Sequence, residues 1–219
     1  MPKKFIRRRR TKRKGNKTAR MAKVALAKAT RIDRYIEHHY HENQPSRTLT
    51  TTGSVDVLSG IAEGDSSLTR TGLKVTPTSL YLRYKINHGH DGGTPPVLDP
   101  QGLLSRVMVV RDTQQISDTS PSVADVLASA GINVMKPLSR LFRDRFEVLY
   151  DKVHSTSPGG KAVVYKSTYL KLSSKRPIYF NGTTVADVQK NGLYMITICD
   201  DAVYSPTMYT WFRLRYADC

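Results

Sequence analysis

Fifteen of the chain's 35 lysines and arginines fall within its first 34 residues, against a single acid, Asp33. That stretch carries +14 of the +17 formal charge, while the other 185 residues hold 20 basic and 17 acidic side chains, a net of +3. Lys3, Lys4, Arg7, Arg8, Arg9, Arg10, Lys12, Arg13, Lys14, Lys17 and Arg20 repel one another and have almost no apolar neighbours to bury. Residues 1–17 are therefore predicted to be a disordered basic arm, and the fold must be built by the rest of the chain. A chain of 219 residues has room for one full core with an appendage.

A nearly neutral body with a cationic tail points to a polyanion gripped by the tail. Each neutralised phosphate releases condensed counterions, so such binding is strong, salt-dependent and largely indifferent to base sequence. Lys23, Lys28, Arg31 and Arg34 extend the expected nucleic-acid-binding set. Arg7, Arg8, Arg9, Arg10, Lys12, Arg13 and Lys14 also have the density of a nuclear-import signal read by host import factors. A ribosomal-type tail, an import tag alone and a solubilising extension are the plainer readings of the same run.

Over residues 18–42 the pattern becomes helical. Ala22, Ala25, Leu26, Ala29, Ile32, Ile36 and Tyr40 recur at helical spacing with cations elsewhere on the wheel, which predicts a basic amphipathic helix. The narrow, Ala-rich stripe suits close helix packing; the alternative is a helix that packs on its own domain or frays. At its end, His38, His39 and His41 lie between Glu37 and Glu42, with His38 and His41 able to share a helical face. No further ligand is evident, so no transition-metal site is assigned.

Residues 43–219 read as the folded domain. Beyond Pro45, strands are predicted near 54–61, 78–87, 103–112, 145–154, 162–173, 177–180, 192–200 and 207–216, with a short helix at 123–130. Eight strands suggest an all-β, eight-stranded jelly-roll sandwich, with an open sandwich of other connectivity as the alternative. Leu80, Leu82, Tyr84 and Ile86 alternate with Tyr81, Arg83, Lys85 and Asn87; Phe212, Leu214 and Tyr216 alternate with Trp211, Arg213 and Arg215. The second polar set faces nucleic acid in one reading and is solvated or salt-bridged in the other, with Trp211 as an interface anchor. Long connections at 88–101 and 113–137 suit contacts between copies around symmetry axes.

Chemistry is sparse. The run from His88 to Gly93 has acid/base residue types but reads as a surface loop, and Ser157 to Lys161 lacks the phosphate-loop pattern and reads as a hairpin turn. Asn181-Gly182-Thr183 reads as a turn. Asp200 and Asp201 are weak calcium candidates, because adjacent carboxylates offer hard oxygen ligands. No spacing singles out a nucleophile with its base, so no enzyme activity and no other cofactor are expected. Two cysteines, Cys199 and Cys219, provide no disulfide framework, and no apolar run is long enough for membrane insertion by a helix.

The run Arg145-Phe-Glu-Val-Leu-Tyr-Asp-Lys-Val-His154 resembles a strand motif of capsid proteins from small circular single-stranded DNA viruses. The basic arm, the run Ser105-Arg-Val-Met-Val-Val-Arg-Asp112 and the end Trp211-Phe-Arg-Leu-Arg-Tyr216 fall in the expected order. The likeness is closer to circovirus-like and satellite-necrosis-virus-like shells than to geminivirus capsids, whose cysteine–histidine zinc spacing is missing. It implies a jelly roll, a homo-oligomeric T=1 particle of on the order of sixty copies, an inward arm, and passage through the host nucleus. The packaged partner would be a single-stranded DNA genome, or RNA in recombinant particles. Sixty arms at +14 bring about 840 positive charges, a match to a genome on the order of one to two thousand nucleotides. The competing reading is a non-capsid basic nucleic-acid-binding protein of ribosomal or movement type.

Overall fold

The structure, a computed structural model, describes residues 19–25, 37–91, 101–114, 119–128, 134–140 and 144–218. The chain divides into two units, Met1–Glu37 and His38–Cys219. In the first, residues 19–25 are helical and exposed.

The second holds two antiparallel sheets. One is built from β1 (Glu37–Asn43), β11 (Ser205–Asp218), β4 (Lys74–His90), β8 (Ile178–Phe180) and β9 (Val188–Lys190) in that order. Its β2 (Ser46–Thr48) also pairs with β11, and its β7 (Val163–Lys171) with β4. The other sheet runs β3 (Ser54–Val57), β10 (Gly192–Cys199), β5 (Leu103–Asp112) and β6 (Phe146–Thr156). The chain passes back and forth between the sheets: β3, then β5 with β6, then β10 lie in one, and the strands between them in the other. That winding is a jelly roll, the connectivity that strand count left open.

All eight predicted strands are present, and β5 spans Leu103–Asp112 as expected. Three more raise the count to eleven among the described residues: β1, β2 and β9. The expected helix over 18–42 is corrected at its C-terminal end. Helix occupies residues 19–25, residues 26–36 lie outside the described residues, and Glu37–Asn43 is a strand. The reason is tertiary. The edge of β11 offers hydrogen bonds to β1, and alternation sends His39 onto Tyr216 and His41 onto Phe212, with ring centroids 5.7 Å apart in each pair. Burial lowers the His41 pKa, partly opposed by Glu42.

Two turns also differ from expectation. His88 and His90 belong to β4 rather than to a surface loop; His88 is buried, its Nδ1 3.1 Å from Thr156 Oγ1. Gly89 sits where a Cβ would come within 2.0 Å of the Tyr204 carbonyl oxygen, so only glycine fits. Ser157–Lys161 does turn, through the Ser157 amide to the Lys161 carbonyl at 3.1 Å. Yet β6 and β7 lie in different sheets, so the turn is a corner between layers and not a hairpin. Asn181-Gly182-Thr183 turns between β8 and β9 as expected.

The core lies between the sheets. Leu80, Leu82, Tyr84 and Ile86 of β4 and Met208, Phe212, Leu214 and Tyr216 of β11 meet Val107 and Val109 of β5 and Leu193 and Met195 of β10. The second sheet is buried on its other face as well: Met108, Val110, Tyr194 and Ile196 pack beneath Val123, Val126 and Leu127. These last belong to the long β5–β6 connection, where α1 (Val123–Val126) starts in a capping box between Ser122 and Asp125. The predicted helix is thus confined to four residues; 129–130 lie outside the described set.

Ion pairs pin that connection. Asp112, closing β5, receives a bidentate pair from Arg145 at 2.9 and 2.6 Å, both buried. Arg106 is bidentate to Asp151 at 2.8 and 2.6 Å and donates to the Val134 and Lys136 carbonyls. Truncating one partner of a buried pair strands the other charge. Asp112→Ala should cost about 3–5 kcal/mol in denaturant unfolding, with Asp112→Ala/Arg145→Met recovering part of it.

A polar chain also threads the core, with Tyr84 Oη 2.7 Å from Tyr150 Oη and 2.6 Å from His154 Nε2. Burial lowers the His154 pKa, helped by Lys166, Lys161 and Lys152. The unfolded chain then binds this proton more readily, so the histidine's contribution is complete above its ordinary pKa near 6.5 and declines as pH falls from there towards the lowered value. The melting temperature should fall between pH 7 and 5, and His154→Gln should flatten that slope.

Candidate nucleic-acid interface

Of the arm cations, Arg20 and Lys23 stand on the helical residues 19–25, exposed to solvent together with Met21 and Val24. Lys3, Lys4, Arg7, Arg8, Arg9, Arg10, Lys12, Arg13, Lys14, Lys17, Lys28, Arg31 and Arg34 lie outside the described residues.

The body adds a feature that the sequence shows only in part. The register of β4 with β11 and β7 places side chains across the outward face in rows: Tyr165, Lys85 and Tyr209; then Ser167, Arg83 and Trp211; then Tyr169, Tyr81 and Arg213. Lys171 and Arg215 flank Ser79 one row further on. Tyr165, Tyr169 and Tyr209 are 60%, 63% and 50% exposed. Arg83 Nε donates to Tyr81 Oη at 2.6 Å, and Ser167 Oγ donates to the same oxygen at 2.9 Å, which fixes the ring and lowers the Tyr81 pKa. The Arg83 guanidinium carbon lies 4.9 Å from the Tyr81 ring centre and 6.0 Å from that of Trp211. Arg213 lies 5.3 Å from Trp211 and 5.0 Å from Tyr40, and Lys85 Nζ 5.9 Å from Tyr209.

Arg213 is therefore both salt-bridged and on this face: its Nε donates to Glu42 at 2.9 Å, with each side chain about a third exposed. An exposed pair of this kind contributes roughly 0–1 kcal/mol. Arg83, Lys85, Lys171 and Arg215 have no acidic partner among the described residues. The alternation in β4 and β11 is legible in the sequence, but Tyr165, Tyr169 and Lys171 join the face only because β7 pairs with β4.

Several other arginines are structural. Arg111 and Arg176 share Glu147, at 2.7 and 2.6 Å, and buried Arg70 bonds the Ile61 and Gly72 carbonyls beneath the Phe180 ring. The calcium candidates are tied to a turn. Asp200 Oδ1 accepts from the Leu104 amide, and Asp201 Oδ1 from the amides of Val203 and Tyr204. Among the described residues no three His, Cys, Asp or Glu side chains gather as a metal site, His38, His39 and His41 included.

Comparison with solved structures finds distant likenesses. Desmodium yellow mottle tymovirus is 10% identical, with 84% of this chain and 88% of the other covered and a TM-score of 0.35. The 60-mer BFDV capsid protein is 6% identical over 84% and 93%, with a TM-score of 0.34. A protein of Bacillus endospore appendages, disulfide-linked pili, is 8% identical over 84% and 91%, at 0.28. No property is carried over from likenesses this remote. No curated protein sequence matches significantly. The family model of the satellite tobacco necrosis virus coat protein matches residues 8–219, nearly the whole chain, including most of the arm. With the jelly roll, the cationic N-terminal segment and that match together, the chain belongs to the satellite tobacco necrosis virus coat protein family.

Proposed function

We propose that this coat protein assembles with copies of itself into a small T=1 icosahedral shell, on the order of sixty subunits, and packages single-stranded nucleic acid through its N-terminal arm. The observation that carries the reading is the division of charge: +14 in residues 1–34 against +3 in the rest. A body so close to neutral approaches its own copies without strong repulsion, while the arm condenses on phosphates inside the shell. Lys3 to Lys17, Arg20, Lys23, Lys28, Arg31 and Arg34 act as charge donors rather than as readers of sequence. Arginine and lysine donors accept DNA or RNA alike, so the genome is single-stranded DNA by the capsid resemblance alone, with RNA filling recombinant particles. Arg7 to Arg10 with Lys12, Arg13 and Lys14 direct the protein to the host nucleus through import factors.

Electron microscopy of purified full-length protein should show closed uniform particles, and a monomer at all salt concentrations would refute assembly. Deletion of residues 1–34 should strip particles of nucleic acid, read as loss of 260 nm absorbance relative to 280 nm. Undiminished nucleic acid after the deletion would refute the arm's role.

A further inference from the structure

We propose that the outward face of β4, β7 and β11 is a second nucleic-acid surface, on which unpaired bases of a single strand stack while its cations hold the phosphates. The residues of this surface belong to the sheet and include none of the arm cations.

Its charge is the first argument. Arg83, Lys85, Lys171, Arg213 and Arg215 against Glu42 make +4, more than the +3 of all residues from 35 onward. The rest of the body is therefore slightly acidic, and this face accounts for the body's net positive charge. A second copy of this face would be repelled by it, whereas a polyanion is complementary.

Its aromatic content is the second. Tyr81, Tyr165, Tyr169, Tyr209 and Trp211 stand on one open sheet surface, three of them at least half exposed. Between them runs a shallow groove of about 450 Å³, lined in part by Gln44, Arg83, Lys85, Tyr165, Tyr209 and Trp211. Bases stack on such rings whatever the base, and planar guanidinium groups extend the stack.

Access to base faces makes the partner single-stranded. In a duplex each base face is covered by its stacked neighbours and cannot lie on a side-chain ring. Rows on one face of an antiparallel strand recur every two residues, roughly 6.8 Å, so a splayed single strand opened to about that spacing can lay successive bases on them. The anchoring of Tyr81 by Arg83 and Ser167 holds the central ring in place before any strand arrives.

The chain has one tryptophan, Trp211, so its fluorescence reports on this face alone. Full-length protein is titrated with two probes carrying equal numbers of phosphates: oligothymidylate and an abasic deoxyribose-phosphate strand. The arm binds both. Oligothymidylate should quench Trp211 emission and bind roughly tenfold tighter by end-label anisotropy, with the abasic strand leaving emission nearly unchanged. Tyr81→Ala/Tyr209→Ala, confirmed folded by circular dichroism, should bring the two affinities close to parity. Equal quenching by both strands, emission that shifts with protein concentration in the absence of any strand, or a base preference unchanged in the variant would overturn the proposal. If instead the abasic strand fails to bind while oligothymidylate still quenches, the arm's assigned role falls and the sheet surface stands.

Discussion

The pairing of β4 with β11 is the constraint on which the other features depend. Leu82 lies opposite Phe212 and Leu80 opposite Leu214, and the same register sets Arg83 beside Trp211 and Tyr81 beside Arg213. Side chains alternate along a strand, so one register determines both the filling of the core and the composition of the outer face. A slip by one residue would turn Arg213 and Arg215 into the core and Phe212 and Leu214 into water. The apolar area between the sheets forbids that slip, and the cationic, aromatic face is held in place by hydrophobic burial on its reverse.

The arginines divide by environment into different roles. Arg70, Arg106, Arg111 and Arg145 are buried or nearly so, and each meets carboxylates or backbone carbonyls. Buried pairs of this kind contribute little net stability because desolvation offsets attraction, but they penalise any arrangement that separates them. Here Arg106 and Arg145 tie the β5–β6 connection across the second sheet, whose outer face would otherwise expose Met108, Val110, Tyr194 and Ile196. Two of the runs that carry the capsid resemblance, Ser105–Asp112 and Arg145–His154, are these neighbouring strands, paired from Ser105 with His154 to Asp112 with Phe146. Much of that motif is thus structural. Among the described residues, Arg83, Arg213 and Arg215 on the β4–β11 face stand outside this structural set.

Most strands were readable because their alternation is strong and their ends are marked by glycine, proline or asparagine. Residues 37–43 were not: Ile36 and Tyr40 extend a helical apolar spacing, and only the open edge of β11 gives His39 and His41 a reason to alternate. The turn at Ser157–Lys161 was visible in sequence, but whether it joins neighbours in one sheet or crosses between sheets is a question about distant partners. The same holds for the candidate surface. Arg213, Arg215 and Trp211 could be assigned to one side of a strand, whereas their neighbours Tyr165 and Tyr169 come from a segment some forty residues away in the chain.

By itself the amino-acid sequence determined where charge lies, +14 in the first 34 residues against +3 in the rest, and its alternating strands make the body a sandwich. These are local properties, decided by neighbours along the chain. Tertiary structure alone decided the winding of those strands into a jelly roll, the strand at Glu37–Asn43, and the gathering of aromatic and basic side chains from β4, β7 and β11 on one face. Each of these depends on which edge hydrogen bonds and apolar faces find one another across long stretches of sequence, and no local pattern encodes that choice.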